Sequence, residues 1–371
     1  MVVLVLFLCC VGGSVLSRRD LLSVRSAVMS SFALSPSFGR RCSACDEGHV
    51  LGSMLRLVFH DAAGGPVGEG SNGCVDLSSR VNAGLHSVVA AYERVHAQTA
   101  PLMSRADLWV LGAQLALEMA TTPSAEKDGG EEPQWSGTLT LPFKTGRVDR
   151  ENCTGLDDNM IPQTNVSWIE MIHLFSGRMG MSVRQIVAIM GAHSLGRISR
   201  EVSGVQGSWN SFSSSFSNLY YKSLINTLWI NPNASTVWIE NLTPNVMISP
   251  DVELLYTPSS QCGRFLFGLF EGRGCVTNAS PADVVQAFAA NQTAFYGSFS
   301  EAWALMTEYG NATLRSVCDK SADFNGDARV DILDLTFVLD SVRDCENCAA
   351  DLNCDLIVDS NDVLIVKSVW N

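Results

Sequence analysis

Residues 56–61 read RLVFHD and place an arginine and a histidine four positions apart, at Arg56 and His60. Apolar residues recur at helical spacing from Val50 to His60, so both side chains should lie on one face of a helix. A neutral imidazole there can take a proton from bound hydrogen peroxide and return it to the departing oxygen. The guanidinium can stabilise the negative charge that develops as the oxygen–oxygen bond breaks. A structural contact on an apolar helix is the alternative interpretation of the same pair.

A second histidine stands in residues 190–197, MGAHSLGR, at the end of an apolar segment. Ser182 and Gln185 have capping-box spacing and predict the start of a helix that leads to His193. His193 follows His60 by 133 positions (193 − 60). In this order, RLVFHD and MGAHSLGR resemble the distal and proximal motifs of the plant, fungal and bacterial haem peroxidase superfamily.

The resemblance implies a mostly α fold, an all-helical two-lobed domain with haem b between a distal and a proximal helix. It makes His193 the axial ligand of the haem iron, and Arg56 and His60 the catalytic pair for hydrogen peroxide. Asn82, in the sequence NAGL, matches the asparagine that orients the distal histidine. Phe59 matches the residue that fills space over the ring.

Two more residues match the proximal side of the family. Trp209, in the sequence GSWN, resembles the proximal tryptophan of the intracellular ascorbate and cytochrome c peroxidases, where secreted members usually have phenylalanine. Asp251, in SPDVELL, matches the aspartate that accepts a hydrogen bond from the proximal histidine. That bond makes the imidazole a stronger electron donor to iron.

The same resemblance implies cation sites. Asp61 matches a ligand of the distal calcium of secreted members, and Asp76 and Ser78 match its later ligands. On the proximal side, Ser194 could coordinate a cation. Residues 216–221, FSNLYY, resemble the family's Phe-Asp-Asn-x-Tyr-Tyr, but the aspartate, a ligand of the proximal cation, is Ser217 here, which puts that site in doubt.

Two shorter matches extend the resemblance. The segment 104–107, SRAD, resembles the family's Ser-x-Ala-Asp, and 146–149, GRVD, resembles its Gly-Arg-x-Asp. The matches run from about Arg25 to Tyr309 in the family's order, which is more specific than any single motif.

The C-terminal tail is an internal repeat whose two copies lie 28 residues apart. Each copy has oxygen-bearing side chains at positions 1, 3, 5, 9 and 12 and a carbonyl at 7, as a seven-coordinate calcium loop requires. The predicted ligands are Asp323, Asn325, Asp327, Arg329, Asp331 and Asp334, then Asp351, Asn353, Asp355, Ile357, Asp359 and Asp362. A solvated acidic face is the alternative interpretation.

The repeat resembles the type I dockerin, a small α module with paired EF-hand-like calcium loops. The resemblance implies Ca²⁺ and, in some systems, a protein or matrix partner. The predicted domains are a signal peptide at 1–17, a haem peroxidase domain at 18–312, a linker at 313–322 and the calcium module at 323–371.

Export from the cell is the expected localisation. The apolar run at 2–11 has the length of a signal-peptide core, although the usual basic residues before it are missing. An uncleaved anchor or a wrongly assigned start is the alternative. Ten cysteines follow it, and seven Asn-x-Ser/Thr sequons are present, which together indicate a disulfide-bonded glycoprotein. The cysteine pairing stays open. No later apolar stretch is long enough to span a membrane.

The distribution of charge indicates which class of ligand the chain can bind. The net charge is −13, and the tail from Cys318 carries twelve acidic against four basic residues. This favours cation binding and argues against a nucleic-acid partner, which needs a basic surface. The chain has neither a Gly-x-Ser-x-Gly nor a His-Glu-x-x-His sequence, so a hydrolase is not indicated.

The class of electron donor is inferred from positions at which this sequence lacks the donor-binding residues of specialised family members. The manganese-binding glutamates of the family are His49 and Ser53 here, the surface tryptophan is Ala188, and the ascorbate-binding arginine is Val202. The expected function is therefore a secreted peroxidase that uses H₂O₂ and a small aromatic or phenolic reductant. Trp135 and Tyr220 are candidates for surface relays or, as the alternative, for buried packing. A calcium-dependent adhesion or scaffold protein on a weakly active peroxidase fold is the alternative.

Overall fold

The structure is a computed structural model. It describes residues 18–32, 47–100, 102–121, 139–154, 161–198, 200, 205–227, 229–231, 236–240, 243–257, 276–277, 279–317, 322–327, 329–342, 349–352, 358–368 and 370. Several predictions lie outside these ranges: the signal peptide, eight of the ten later cysteines, Trp135, and Asn353, Asp355 and Ile357 of the second tail loop.

The predicted helical class is confirmed. The α-helices are α1 Arg18–Ser31, α2 Glu47–Gly64, α3 His86–Thr99, α4 Arg105–Thr121, α5 Trp168–Met179, α6 Val183–Met190, α7 Leu219–Asn226, α8 Ser249–Glu253, α9 Ala279–Ala290, α10 Gln292–Glu308, α11 Ile332–Asp340 and α12 Ser360–Ser368. Short 3-10 helices occupy Arg80–Asn82 and Gly191–Ser194. No described helix is long and apolar enough to cross a membrane.

The strands are short. They are β1 Lys144–Thr145, β2 Trp229–Ile230, β3 Val237–Glu240, β4 Val246–Ile248, β5 Tyr256–Thr257, β6 Val276–Thr277 and β7 Arg315–Ser316. β2, β3 and β4 form an antiparallel sheet in that order, with Trp238 opposite Met247. α8 begins directly after β4, so this sheet fixes the position of Asp251 in the first turn of α8.

Helix α4 lies at the centre of the larger unit, Val24–Leu314. It is buried on all sides from Ala106 to Leu117, as expected of a core helix. α2 and α3 pack against it. Gly112 allows α3 to approach, because a Cβ atom there would lie 2.1 Å from the Tyr92 hydroxyl. A larger residue at this position would overpack the contact.

Two carboxylates connect the start of α4 with the segment 144–150. Asp107 belongs to the SRAD sequence and Asp149 to the GRVD sequence. Asp107 forms a buried ion pair with Arg147 at 2.7 Å. Asp149 accepts hydrogen bonds from the first backbone N–H groups of α4, those of Arg105 and Ala106, both at 2.8 Å. Burial raises the pKa of Asp107, while Arg147 opposes that shift. Removing one partner would leave an uncompensated buried charge, at a cost of about 3–5 kcal/mol.

Local capping predictions are confirmed and one helix boundary is corrected. The Asp107 N–H donates to the Ser104 side chain at 3.1 Å, and Ser182 with Gln185 forms the predicted capping box of α6. The apolar pattern from Ala282 to Tyr309 predicts one helix, but the structure has two, α9 and α10. They meet at Asn291, whose side chain accepts a hydrogen bond from the Ala294 N–H and so starts α10.

The C-terminal residues Arg315–Asn371 belong to a second, smaller unit. Its buried core draws equivalent residues from both copies of the repeat: Ala322 and Ala350, Val330 and Val358, Val338 and Val366. Asp334 accepts hydrogen bonds from the backbone of Phe324 and Asp331, at 2.7 and 2.9 Å. Asp362 repeats this pattern with Leu352 and Asp359, at 2.6 and 2.9 Å. The sequence repeat is therefore also a structural repeat.

Within the larger unit, one disulfide links Cys74 to Cys153 across 79 positions. Cys74 belongs to the loop that follows α2, and its N–H donates to the Asp61 carboxylate at 2.9 Å. The disulfide therefore anchors the loop that donates hydrogen bonds to Asp61, the residue after His60.

Candidate active site

The distal histidine is held by a defined hydrogen-bond chain. His60, on α2, lies 2.7 Å from Asn82 through Nδ1 and Oδ1. The Asn82 amide nitrogen donates to the Asp76 carbonyl at 2.9 Å, which leaves the amide oxygen as the acceptor. His60 Nδ1 therefore carries the proton, and Nε2 presents a lone pair.

His60 stays neutral over a wide pH range. Burial and, to a smaller extent, the positive charge of Arg56 lower its pKa to about 3, although the bond to Asn82 opposes the shift. A buried neutral imidazole with a free Nε2 lone pair can accept a proton from a small ligand.

Arg56 is tied to the same turn as Asn82. Its guanidinium donates to the carbonyls of Val81 and Ala83, at 2.6 and 2.8 Å. Burial lowers the pKa of Arg56 to about 10, so the group remains charged at neutral pH. An arginine side chain has five N–H groups, and these two bonds leave others for a ligand. The carbonyl contacts have no signal in the sequence.

Phe59 contacts His60 edge-on, with ring centres 5.7 Å apart. Its ring also lies 6.1 Å from that of Phe175 on α5. Phe59 therefore packs between the distal helix and α5.

The predicted distal calcium ligands already have protein partners. Asp61 is buried and accepts the backbone N–H groups of Asn72, Gly73 and Cys74 at 3.2, 3.1 and 2.9 Å. Burial raises the pKa of Asp61 to about 6, and these N–H groups oppose the shift.

Asp76 accepts the Ser78 N–H and hydroxyl at 2.9 and 2.6 Å. In the part of the chain that the structure describes, no group of three or more His, Cys, Asp or Glu side chains is arranged to hold a metal ion. The distal calcium stays a prediction.

Ser194 is buried, and its hydroxyl accepts the Ser217 N–H at 3.3 Å. The Ser217 hydroxyl in turn accepts the Leu219 N–H at 3.4 Å. Each hydroxyl therefore accepts one backbone N–H, and the proximal cation stays a prediction.

The proximal histidine is also held through Nδ1. His193 lies in the 3-10 turn after α6 and donates from Nδ1 to the Asp251 carboxylate at 2.7 Å. Its ring stacks on Trp209 with centres 4.4 Å apart. Trp209 Nε1 donates to the other oxygen of Asp251 at 2.9 Å. The three predicted proximal residues therefore form one cluster.

Asp251 has two further donors that the motifs do not indicate. The Tyr220 hydroxyl donates to Oδ1 at 2.7 Å, and the Ile248 N–H donates to Oδ2 at 2.9 Å. Tyr220 is fully buried, which excludes a role as a surface relay. The only sequence signal was its place in a segment similar to the family's Phe-Asp-Asn-x-Tyr-Tyr.

The distal helix and the proximal segment are in contact. At Gly52 of α2, a Cβ atom would lie 2.8 Å from the Cα of Gly196, three residues after His193. Helix α10 packs on both α2 and α6. The two histidines thus belong to elements of one packed unit.

The donor set at His193 fits a haem iron. With Nδ1 donating to a buried carboxylate, Nε2 is left as the coordinating nitrogen. The His193 side chain is 29% exposed although Asp251 beside it is fully buried, so the imidazole is accessible to a ligand. His193 would hold the iron, and Asp251 and Trp209 would orient the imidazole.

Comparison with known proteins gives the family. The family model described as peroxidase matches residues 26–262. A Candida albicans protein described as a heme-binding peroxidase is 26% identical over 279 residues, covering 71% of this chain and 82% of its own length.

A peroxisomal L-ascorbate peroxidase of Arabidopsis thaliana is 34% identical over 179 residues, or 46% of this chain and 57% of its own. A mitochondrial cytochrome c peroxidase of Cryptococcus neoformans is 29% identical over 192 residues, or 50% and 46%. The chain thus spans about half the length of these two relatives. It belongs to the peroxidase family of haem-dependent oxidoreductases.

Proposed function

We propose that this chain is a secreted haem peroxidase that reduces hydrogen peroxide and oxidises small phenolic or aromatic donors in one-electron steps. Bound haem would supply one-electron redox chemistry at its iron. The proposal is carried by one observation: the 2.7 Å bond between His60 Nδ1 and Asn82 leaves a neutral, buried Nε2 as the base.

Each side chain of the site has a separate role in the proposed reaction. His60 Nε2 accepts a proton from H₂O₂ and returns it to the oxygen that leaves as water. The remaining N–H groups of Arg56 stabilise the negative charge on that oxygen. His193 Nε2 would hold the iron, and Asp251 keeps the His193 Nδ1 protonated and the ring fixed.

Substitution of the base tests this proposal. His60→Ala should slow the reaction of the haem protein with H₂O₂ by about 10²–10⁴-fold, the usual contribution of a general acid–base group. His86→Ala is the matched control, because His86 is an exposed histidine on α3. Stopped-flow absorbance in the haem band gives both rates. A His60→Ala rate equal to that of the control would contradict the distal assignment.

The donor class is proposed from the residues at the family's specialised sites. The arginine that would bind ascorbate is Val202, and the manganese-binding glutamates are His49 and Ser53. Turnover with guaiacol, ascorbate and reduced cytochrome c, at equal peroxide, ranks the donors. The phenol should be oxidised fastest, and faster use of ascorbate or cytochrome c would contradict the proposal.

Secretion is supported by the cysteine content, the sequons and the Cys74–Cys153 bridge, since disulfides persist mainly in oxidising compartments. Three sequon asparagines, Asn152, Asn165 and Asn291, are exposed. Expression of the full chain in a eukaryotic secretory host should release protein into the medium with a mass that falls on glycosidase treatment. Retention inside the cell without glycans would contradict this part of the proposal.

The tail is proposed to bind two Ca²⁺ ions. Support comes from the repeated arrangement around Asp334 and Asp362, which draws the two ends of each loop together. In the full chain, Asp327→Ala should lower the bound calcium by one ion. Asp340→Ala, an exposed acid on α11 outside the loops, should not. Equal stoichiometry in both variants would contradict the proposal.

A protein or matrix partner for the tail is proposed only from the dockerin resemblance. If the alternative of an adhesion or scaffold protein holds, the full chain will bind calcium but react with H₂O₂ no faster than its His60→Ala variant. The two measurements above therefore separate the enzyme from the alternative.

A further inference from the structure

The buried carboxylate of Asp251 is shared among four donors. Oδ1 accepts His193 Nδ1 and the Tyr220 hydroxyl, both at 2.7 Å. Oδ2 accepts Trp209 Nε1 and the Ile248 N–H, both at 2.9 Å. Tyr220 and His193 thus compete for the same oxygen at the same distance.

Sharing an acceptor weakens each bond to it. Hydrogen bonds to a carboxylate in a buried site are strong because the acceptor is charged and no water screens it. A second donor on the same oxygen draws away part of its electron density. The bond between His193 and Asp251 is therefore weaker with Tyr220 present than with Asp251 Oδ1 bound to His193 alone.

Tyr220 is held in the protonated, donating form. Its side chain is fully buried, and because the oxygens of a carboxylate only accept, the hydroxyl is the donor in the 2.7 Å bond to Asp251. Its ring also lies edge-on to that of His193, with centres 6.1 Å apart. The hydroxyl is thus a permanent part of the proximal cluster.

We propose that Tyr220 is a positioning residue that moderates the pull of Asp251 on His193 and so sets how strongly His193 Nε2 donates to the iron. The inference rests on the proposed haem function and names a residue that none of the motifs assigns. The opposite view is that Tyr220 only fills space in the core.

The neighbouring tyrosine provides a matched control. Tyr221 is also fully buried on α7, and its hydroxyl donates to the Val187 carbonyl at 2.8 Å. Tyr221→Phe therefore removes an equally buried hydroxyl outside the hydrogen-bond cluster around Asp251.

The experiment uses the full chain loaded with haem. Resonance Raman spectroscopy gives the stretching frequency of the bond between iron and the histidine nitrogen, and spectroelectrochemistry gives the iron reduction potential. Tyr220→Phe should raise the frequency and lower the potential, because the bond from His193 to Asp251 strengthens. Tyr221→Phe should change neither. No shift in Tyr220→Phe, or an equal shift in both variants, overturns the inference.

A second pair of measurements covers other outcomes. In an Asp251→Asn background, Tyr220→Phe should no longer move the frequency, and a persisting shift contradicts action through Asp251.

If Tyr220→Phe does not fold, the unsubstituted chain is produced with fluorotyrosine, a stronger donor. The frequency should then fall, and a rise or no change refutes the proposal. A full chain that takes up no haem refutes the proposed function itself.

Discussion

Replacing Asn82 by alanine isolates the bond that fixes the distal base. The substitution removes the acceptor of His60 Nδ1–H, at 2.7 Å, inside a site where His60 is only 6% exposed. A buried donor without a partner costs about 1–3 kcal/mol. The imidazole can escape this cost by rotating or by moving its proton to Nε2, and either change removes the base.

That cost sets the expected loss of rate. At about 1.4 kcal/mol per factor of ten, 1–3 kcal/mol corresponds to a reaction with H₂O₂ that is about 5- to 150-fold slower. The rate constant is measured by stopped-flow absorbance at several peroxide concentrations, on samples matched for haem content. Asn72→Ala is the control, since Asn72 lies on the loop after α2 and its side chain donates to Glu69. An Asn82→Ala rate within twofold of the control would refute the reasoning.

Three further outcomes can be checked. Because the His60 pKa is about 3, the peroxide rate should stay flat from pH 8 to pH 5 and fall only as pH approaches 3; a midpoint near pH 6 would contradict this. In urea unfolding, Arg147→Met should lose about 3–5 kcal/mol. Arg150→Met breaks an exposed ion pair and should lose at most about 1 kcal/mol, so equal losses would be contrary evidence. Gly112→Ala should destabilise by about 1–3 kcal/mol, whereas Gly177→Ala, which meets open space in α5, should stabilise by about 0.5–1 kcal/mol.

Predictions from local sequence agreed with the structure where the physics is local. The capping box at Ser182 depends on residues three positions apart, so its spacing is visible in the sequence. The break at Asn291 has a comparable local signal, an asparagine inside an apolar run that can cap a following helix.

Long-range contacts explain most of what the sequence did not reveal. The Tyr220 hydroxyl meets Asp251 across 31 positions, and this contact depends on how α7 packs near α8. The Arg56 contacts are with backbone carbonyls, which every residue has, so no residue type marks them. The motifs could therefore name Asp251 and His193 but not all the neighbours that tune them.

The tail core has a consequence for how the repeat can vary. Val330 and Val338 of the first copy are buried together with Val358 and Val366 of the second. Either copy alone would expose the apolar surface that the other copy covers. A chain truncated after the first loop and helix would therefore lose the fold of both copies. The two copies thus fold as a single cooperative unit, and removing one copy should unfold the whole tail module.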